Sequence, residues 1–474
     1  MKKILITLVV LFSISNVFAQ DKEYRLTLED GKLLGWYDIS PNGNIFLITR
    51  AKRSAMKNTP FKLHKINSDF TNGFINDMKY EDFVSRGYQP GIMIEGPGNF
   101  ISKNGNYIKW GKILVNGNDG SQKDYKFDDN EITGNVHSIF SFLSDNYHTN
   151  IGPQKGRKNI KKKYEEGDIY IFSRNNADYT TIEKQLIQPP LATNIEEGGV
   201  SEWHMGERFE NYFNLVTKSD IDEERTTDIN HLISYKYTGE LVSNISLTVN
   251  LDKHHFIFSS NYGAPVFHDY NYGSFGPNNV YTDTATRNYY VYGFYTDKPK
   301  KKMISGKYLG FYLFKFDTKG NLIWKKNYSL EGKKIFNSSW KAYQVSINHY
   351  KLNQEQIGIE VNADDTSLIY KINTKSGEIT KENEVKYKVK KAIAFAFEVM
   401  SMNSYRYNKH EFPNKFFSPN ALSIIYLNDK IYEYVKDKKS DHKLFYGAKL
   451  LDDGSAILVE FDKDNRNLDF YKYD

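Results

Sequence analysis

The stretch EWHMGERFENYF contains three side chains that could ligate a metal ion, His204, Glu207 and Glu210. If the stretch were helical, the three-residue spacing would place the imidazole and the carboxylates one turn apart on one face. The alternative is a polar connector between two strands, because closed metal sites usually need three or four ligands. We therefore predict no metal at this position.

A second polar cluster lies near the C-terminus, where FDKDNRNLDF supplies Asp462, Asp464 and Asp469. Calcium loops alternate oxygen ligands and place a glycine at the sharp turn. This stretch has no glycine, and Arg466 occupies a ligand position. A solvated β-turn is therefore the favoured interpretation, and a calcium site is the alternative.

Binding surfaces are predicted in loops that are rich in aromatic or basic residues. HDYNYGSFGPNN is aromatic, glycine-rich and long, and Tyr270, Tyr272 and Phe275 could form a contact surface with few torsions to freeze. These rings could instead cover the edge of their own sheet. The basic run GRKNIKKKYEEGD contains Lys161–Lys162–Lys163, which could contact an anionic lipid, polysaccharide or protein, or simply be solvated.

Motifs that identify common enzyme classes are absent from the sequence. It contains no G-x-S-x-G, H-E-x-x-H, P-loop or G-x-G-x-x-G segment. A glycosidase on a repeat fold would collect carboxylates from different repeats around one channel, and such a set cannot be picked out among 58 acidic residues. Whether the protein is an enzyme stays open, with non-enzyme favoured.

The elements that must position these residues are repeated β-hairpins. One type has a short strand, a polar turn that ends at Gly43, Gly105 or Gly454, and a more apolar strand. The second type places Gly239, Gly320 or Gly377 in the turn, and FKLHKINSDFTNGFINDM is a looser copy of it. Alternating apolar residues on both sides of each glycine predict antiparallel strands joined by tight turns.

The spacing of these hairpins predicts a β-propeller. Equivalent turns lie about 60 to 80 residues apart, each period holds four strands, and no helical periodicity is present. The chain therefore predicts an all-β fold with one propeller over residues 20–474, built from about seven four-stranded blades, with six or eight as alternatives. The C-terminal segment contains three strands without a fourth, so we expect residues 23–28 to complete the last blade. Stacked β-sandwich domains are the alternative.

Two of the hairpins resemble known propeller repeats. YLFKFDTKGNLIWKKNY, with Asp317, Gly320 and Trp324, resembles the blade motif of the PQQ-like bacterial β-propellers. The turn from Ser40 to Gly43 is similar to that of the WD40-like propellers of bacterial envelopes. The resemblance implies the architecture only, and since no ligands of a quinone cofactor can be matched, we expect no cofactor.

The N-terminus predicts export from a bacterial cell. Lys2 and Lys3 precede a short apolar segment over residues 4–12, and Ala19 ends a small-residue cleavage site, which is typical of a signal peptide over residues 1–19. We expect a periplasmic or secreted product. No later apolar stretch is long enough for an integral membrane span.

Charge and composition limit the possible partners. The formal charge is +6, and two of these charges belong to Lys2 and Lys3, so the remainder gives no argument for nucleic acid. Two functions remain. The first is a binding or scaffolding module for a protein or glycan of the cell envelope, in an unknown oligomeric state. The alternative is a hydrolase that acts on polysaccharide or peptide at the channel mouth.

Overall fold

The computed structural model describes most of the residues that form regular elements. The described residues are 22–28, 32–51, 61–78, 101–110, 113–124, 140–153, 169–177, 182–187, 203–217, 220–221, 224, 226–257, 279–297, 308–331, 346–363, 366–386, 415–416, 421–438, 444–462 and 465–474. The predicted signal peptide, residues 1–19, lies outside them. The chain divides into two compact units, Tyr80–Glu384 and a second that joins Met1–Lys79 to Val385–Asp474.

The unit Tyr80–Glu384 contains five antiparallel sheets, here named blades 2 to 6 in chain order. Blade 2 contains β6 (Tyr107–Trp110), β7 (Ile113–Asn116) and β8 (Gln122–Asp124), and an isolated bridge joins Ile101 to Ile108. Blade 3 contains β9 (Phe140–Leu143), β10 (Tyr147–Pro153), β11 (Ile169–Asn175) and β12 (Ile182–Ile187).

Blades 4 and 5 each have one strand position that is divided into two collinear pieces. Blade 4 contains β13 (Trp203–Arg208), β14 (Tyr212–Thr217), β15 (Asp220–Ile221), β16 (Thr227–Lys236) and β17 (Leu241–Asn250), and both β14 and β15 pair with β16. Blade 5 contains β18 (His255–Ile257), β19 (Asn279–Thr282), β20 (Tyr289–Thr296), β21 (Gly310–Phe316) and β22 (Leu322–Ser329), and both β18 and β19 pair with β20. Blade 6 contains β23 (Ser346–Lys351), β24 (Gln356–Ala363), β25 (Thr366–Asn373) and β26 (Ile379–Lys386).

The other unit contains blades 1 and 7. Blade 1 contains β2 (Lys32–Ile39), β3 (Ile45–Ala51), β4 (Phe61–Ile66) and β5 (Asn72–Met78). Blade 7 contains β27 (Lys415–Phe416), β28 (Leu444–Leu450), β29 (Ala456–Asp462) and β30 (Asn467–Tyr473), and β1 (Lys22–Thr27) pairs antiparallel with β30. Arg25 fixes this register with two bonds to the Asp469 carboxylate, of 2.6 and 2.9 Å.

The predicted all-β fold of about seven four-stranded propeller blades is confirmed. Seven sheets are present among the described residues, and most have four strand positions once the collinear pieces are joined. The pairing of β1 with β30 also confirms that the N-terminal strand completes the last blade. The residues in the described ranges form only two short helices and no helix long and apolar enough to cross a membrane.

The glycine of each predicted hairpin turn has a positive φ, as the sequence predicts for Gly43, Gly105, Gly239, Gly320, Gly377 and Gly454. Gly320 shows why the position is restrictive. Its φ is 86°, and an added Cβ would lie 2.8 Å from both Ile245 Cγ2 and Ser246 O, on the outer strand β17 of blade 4. The turn of one blade is therefore seated directly on the outer strand of the preceding blade.

The looser hairpin copy in blade 1 has a different residue at the equivalent position. Phe70 has a φ of 66°, and its N–H donates to Asn67 O just as Gly320 N–H donates to Asp317 O. A bulky side chain rarely adopts this conformation, because its Cβ crowds the backbone. Phe70 is buried in the core shared by blades 1 and 7, which offsets the strain.

Apolar cores lie where the faces of neighbouring blades meet. One of them joins blades 5 and 6 through Phe311, Tyr370 and Ile359, and Trp324 packs against it. Trp324 also donates its indole N–H to Thr374 O at 3.0 Å, which connects the outer strand of blade 5 to the turn of blade 6. Each blade face is thus completed by its neighbour within the unit.

A pair of helices interrupts blade 7. Helix α1 spans Ala421–Leu427, and every one of its side chains is buried. Helix α2 spans Asp429–Asp437, and its N-cap Asn428 accepts a hydrogen bond from Ile431 N–H at 3.1 Å. The sequence predicts no helix here, because Ala-Leu-Ser-Ile-Ile-Tyr-Leu is a short apolar run that also fits a buried strand.

Candidate functional site

None of the predicted binding residues falls in the part of the chain that the structure describes. Residues 258–278 and 154–168 are outside it, and they include Tyr270, Tyr272, Phe275, Lys161, Lys162 and Lys163. The aromatic and basic surfaces therefore stay predictions.

The helix considered for the His204–Glu207 pair is wrong, because Trp203–Arg208 is the first strand of blade 4. Two of the three carboxylates of the C-terminal cluster bond to other parts of the chain, and the third, Asp464, lies outside the described residues. Asp462 accepts hydrogen bonds from Asn465 at 3.0 and 2.6 Å, and Asp469 pairs with Arg25. Within the described ranges, no three His, Asp or Glu side chains are arranged to hold a metal ion.

A different group of polar residues meets inside the unit Tyr80–Glu384, where Glu207 approaches His349. The register of β13 against β14 shifts between Met205 and Arg208, so Glu207 lies in a β-bulge. Gly206 permits this bulge because a Cβ there would lie 2.9 Å from Asn214 Cβ. A bulge redirects side chains, and this one places the Glu207 carboxylate towards blades 5 and 6.

One hydrogen bond holds the carboxylate of Glu207, and one imidazole lies near it. Thr282, at the end of β19 in blade 5, donates its backbone N–H to Glu207 Oε2 at 3.1 Å. The other oxygen, Oε1, lies 3.8 Å from His349 Nε2 on β23 of blade 6. This separation is too long for a direct hydrogen bond. The side chains of Glu207 and His349 are 21% and 28% exposed, so both remain accessible from solvent.

The imidazole of His349 is held from its other side by two tyrosines of blade 5. Tyr292 Oη lies 2.7 Å from His349 Nδ1. The ring of Tyr281 lies 4.2 Å from the imidazole, measured between centroids. Tyr281 and Tyr292 are both buried, so the imidazole has a fixed position against a rigid aromatic wall.

A second charged pair continues the site along β23. Lys351, two residues after His349 and on the same face of the strand, donates to Thr284 Oγ1 at 2.9 Å and lies 4.0 Å from Asp283 Oδ1. Glu207, Asp283, His349 and Lys351 thus come from three successive blades. The site combines two carboxylates, one imidazole and one ammonium group.

Burial moves the two central groups towards their neutral forms. Desolvation raises the pKa of Glu207 to about 7, although the Thr282 N–H opposes this shift. Desolvation also lowers the pKa of His349 to about 4. Near pH 7 the imidazole is therefore neutral, and the carboxyl group exchanges its proton readily. A carboxyl group with this pKa can act as a general acid or base.

The sequence predicts Glu207 only as part of a metal-binding alternative and does not point to His349, Tyr292, Asp283 or Lys351. These residues lie up to 144 positions apart and meet only after three blades have formed. One available signal was Gly206, because a glycine within a strand pattern often marks a bulge.

No protein-family model matches the sequence, and no curated protein matches it. Among solved structures, the chain is similar to a prolyl endopeptidase (9% identity, TM-score 0.39, covering 92% of this chain and 55% of that one). It is also similar to the acylaminoacyl peptidase of Pyrococcus horikoshii (10% identity, TM-score 0.34, covering 76% and 47%). A third is the α-L-arabinofuranosidase Arb93A of Fusarium graminearum (9% identity, TM-score 0.30, covering 95% and 92%).

The chain spans about half the length of these two peptidases. At these scores the activities of the matched proteins carry no argument for this chain. The described residues form an all-β propeller fold, and the unit Tyr80–Glu384 contains the Glu207–His349 site.

Proposed function

We propose that the protein is an exported β-propeller of the bacterial cell envelope that binds a protein or glycan partner, and that the Glu207–His349 site is one point of contact. One observation carries this proposal. Glu207 Oε1 and His349 Nε2 lie 3.8 Å apart without bonding each other, and both side chains are partly exposed to solvent. Two polar atoms that face one accessible gap can both form hydrogen bonds to a single group of a bound partner.

A binding experiment tests this proposal. Immobilised oligosaccharides and short peptides would be presented to the wild-type mature chain and to the Glu207→Gln and His349→Gln variants. Both variants should lose affinity for whichever ligand class the wild type retains. Glu355→Gln is a matched control, because Glu355 is an exposed carboxylate paired with Lys375 in the same unit. Retention by both site variants at wild-type strength would contradict a role for this site.

Export is part of the same proposal and rests on the features of residues 1–19. Export is tested by mass spectrometry of the protein recovered from each cell fraction. A product that begins at residue 20 in the periplasm or medium is expected. A full-length product in the cytoplasm would contradict export.

A hydrolase that acts on polysaccharide or peptide is the second candidate, and the pKa of Glu207 near 7 favours it. General acid–base catalysis works best when the pKa of the group lies near the working pH. Asp283, which follows Thr282 in the chain, supplies a second carboxylate, and its Oδ1 lies 4.0 Å from Lys351 Nζ. If this candidate is correct, released reducing sugar or peptide fragments should accumulate with wild type and fall at least a hundredfold with Glu207→Gln.

A further inference from the structure

The hydroxyl group of Tyr292 determines which nitrogen of His349 carries a proton. A neutral imidazole has one N–H donor and one acceptor nitrogen, and the identity of the donor follows from the bonds around the ring. Tyr292 Oη lies 2.7 Å from Nδ1, so one of these two atoms donates and the other accepts.

The surroundings of Tyr292 identify the donor. Its side chain is only 4% exposed, and burial raises the pKa of its hydroxyl, so the group keeps its proton. Within the described residues, His349 Nδ1 is its one hydrogen-bond partner. If Nδ1 donated instead, the hydroxyl proton of a buried tyrosine would lack an acceptor, which costs about 1–3 kcal/mol. Tyr292 therefore donates, Nδ1 accepts, and the proton of His349 lies on Nε2.

The donor Nε2–H then faces Glu207 Oε1 across 3.8 Å, and this oxygen is an acceptor when Glu207 is ionised. A bridging oxygen atom at ordinary hydrogen-bond length would lie about 2.8 Å from both atoms. That oxygen must accept from Nε2–H and donate to the carboxylate. A water molecule does both in the free protein, and a hydroxyl group of a ligand can replace it, whereas an ammonium group only donates and an ionised carboxylate only accepts.

We infer that Tyr292 is a positioning residue that holds His349 as its Nε2–H tautomer, and that the Glu207–His349 gap binds a sugar hydroxyl of a glycan. This inference rests on the proposed binding site and narrows its partner to a hydroxyl-rich ligand. Glycans present hydroxyl groups along their whole length, whereas peptides offer them only at occasional side chains. The charged ends of a peptide would leave one of the two site atoms without a partner.

The tautomer can be measured without any ligand. Long-range ¹H–¹⁵N correlation spectra of the ¹⁵N-histidine-labelled mature chain distinguish the two tautomers, and a His349→Gln variant identifies the His349 signals among those of 11 histidines. The Nε2–H pattern is expected for wild type and for Tyr281→Phe, which keeps the ring that contacts His349. Tyr292→Phe should show a mixture or the Nδ1–H pattern. An Nδ1–H pattern in wild type would overturn the inference.

The ligand class is measured by calorimetric titration with oligosaccharides of glucose, galactose and N-acetylglucosamine, and with a mixture of tetrapeptides. Wild type should bind at least one oligosaccharide, and Tyr292→Phe should bind it about tenfold more weakly, as expected for losing one positioned hydrogen bond. Peptide binding alone would overturn the glycan inference while leaving the proposed binding function intact. Equal glycan affinity in Tyr292→Phe would overturn the positioning role. If wild type bound neither class, the proposed function itself would fail, whatever the tautomer.

Discussion

Replacement of Glu207 by Gln should change how the stability of the protein depends on pH. Gln has the same shape and keeps an oxygen that can accept the Thr282 N–H, but it cannot ionise. In the folded chain the pKa of Glu207 is raised from 4.5 to about 7, because burial disfavours the carboxylate. Between these values the unfolded chain ionises and the folded chain does not. Wild type therefore loses stability from this group as the pH rises from 4.5 to 7.

The size of the effect follows from the pKa. At about 1.4 kcal/mol for each pKa unit, the full shift corresponds to about 3.5 kcal/mol. Glu207 is 21% exposed, and solvent near the carboxylate reduces the penalty. We expect the free energy of unfolding of Glu207→Gln, relative to wild type, to increase by about 2 kcal/mol between pH 5 and pH 8.

His349 acts in the opposite direction. Burial lowers its pKa from 6.5 to about 4, so the unfolded chain takes up a proton before the folded chain does. The stability associated with neutral His349 is present above pH 6.5 and is lost as the pH falls towards 4. Between pH 4.5 and 6.5 the two slopes cancel in wild type. Glu207→Gln should reveal the rising slope of His349, and His349→Gln should reveal the falling slope of Glu207.

Urea unfolding at four pH values between 5 and 8, followed by tyrosine and tryptophan fluorescence, measures these differences. Glu355→Gln is the control, because Glu355 is exposed and its pKa is lowered by the bond to Lys375, so no gain at alkaline pH is expected. A stability difference between Glu207→Gln and wild type that stays constant from pH 5 to pH 8 would refute the reasoning. It would mean that the carboxyl group titrates near its ordinary pKa in the folded protein.

Three further predictions concern the blades. Gly320→Ala should lower the unfolding free energy by about 2 kcal/mol or more in the same assay, because it combines a positive φ with a clash against backbone. Gly73→Ala should cost less, because Gly73 has no positive φ and the added Cβ would meet side-chain atoms of Lys65 at 3.0 Å and no backbone. Lys438→Met should destabilise blade 7 by about 1–3 kcal/mol, because it removes the ammonium group that lies 3.1 Å from the buried carboxylate of Glu460. Proteolysis near helix α2 should increase, and protease resistance equal to that of wild type would contradict this prediction. Deletion of residues 22–28 should expose the edge of β30 and produce aggregates in size-exclusion chromatography, and a monodisperse product would argue against that role for β1.

The fold could be predicted largely because its information is local. Each hairpin places alternating apolar residues around a turn glycine within about 20 residues, and positive φ values at Gly320 and Gly377 confirm how those turns were interpreted. The local sequence signal is weaker in one hairpin and in one helix. Phe70 stands at the position of the turn glycine in one copy. Helix α1 is not predicted because its residues, apart from Ser423, are apolar or aromatic on every side and lack the period that distinguishes a helix from a strand.

The candidate site could not be predicted, because its information is not local. Glu207 is directed by a bulge, His349 by the alternation of β23, and Tyr292 by the second strand position of blade 5. No spacing in the sequence relates these three residues, and their unusual pKa values arise from burial between blades. Single-sequence patterns describe the elements, but the pairing of their faces decides which polar groups meet.

The seating of turns on preceding outer strands also affects how damage would spread through blades 3 to 6. The turn at Gly239 meets Gln185, the turn at Gly320 meets Ile245, and the turn at Gly377 meets Lys326, so each such contact joins one blade to the one before it. Such an array behaves as a chain of nearest-neighbour couplings. A lesion in one turn should loosen a single seam, raising amide exchange on its two sides while more distant blades keep their protection. The lengths of the loops that connect the blades can therefore vary, whereas the residues of each turn must remain compatible with the strand that the turn contacts.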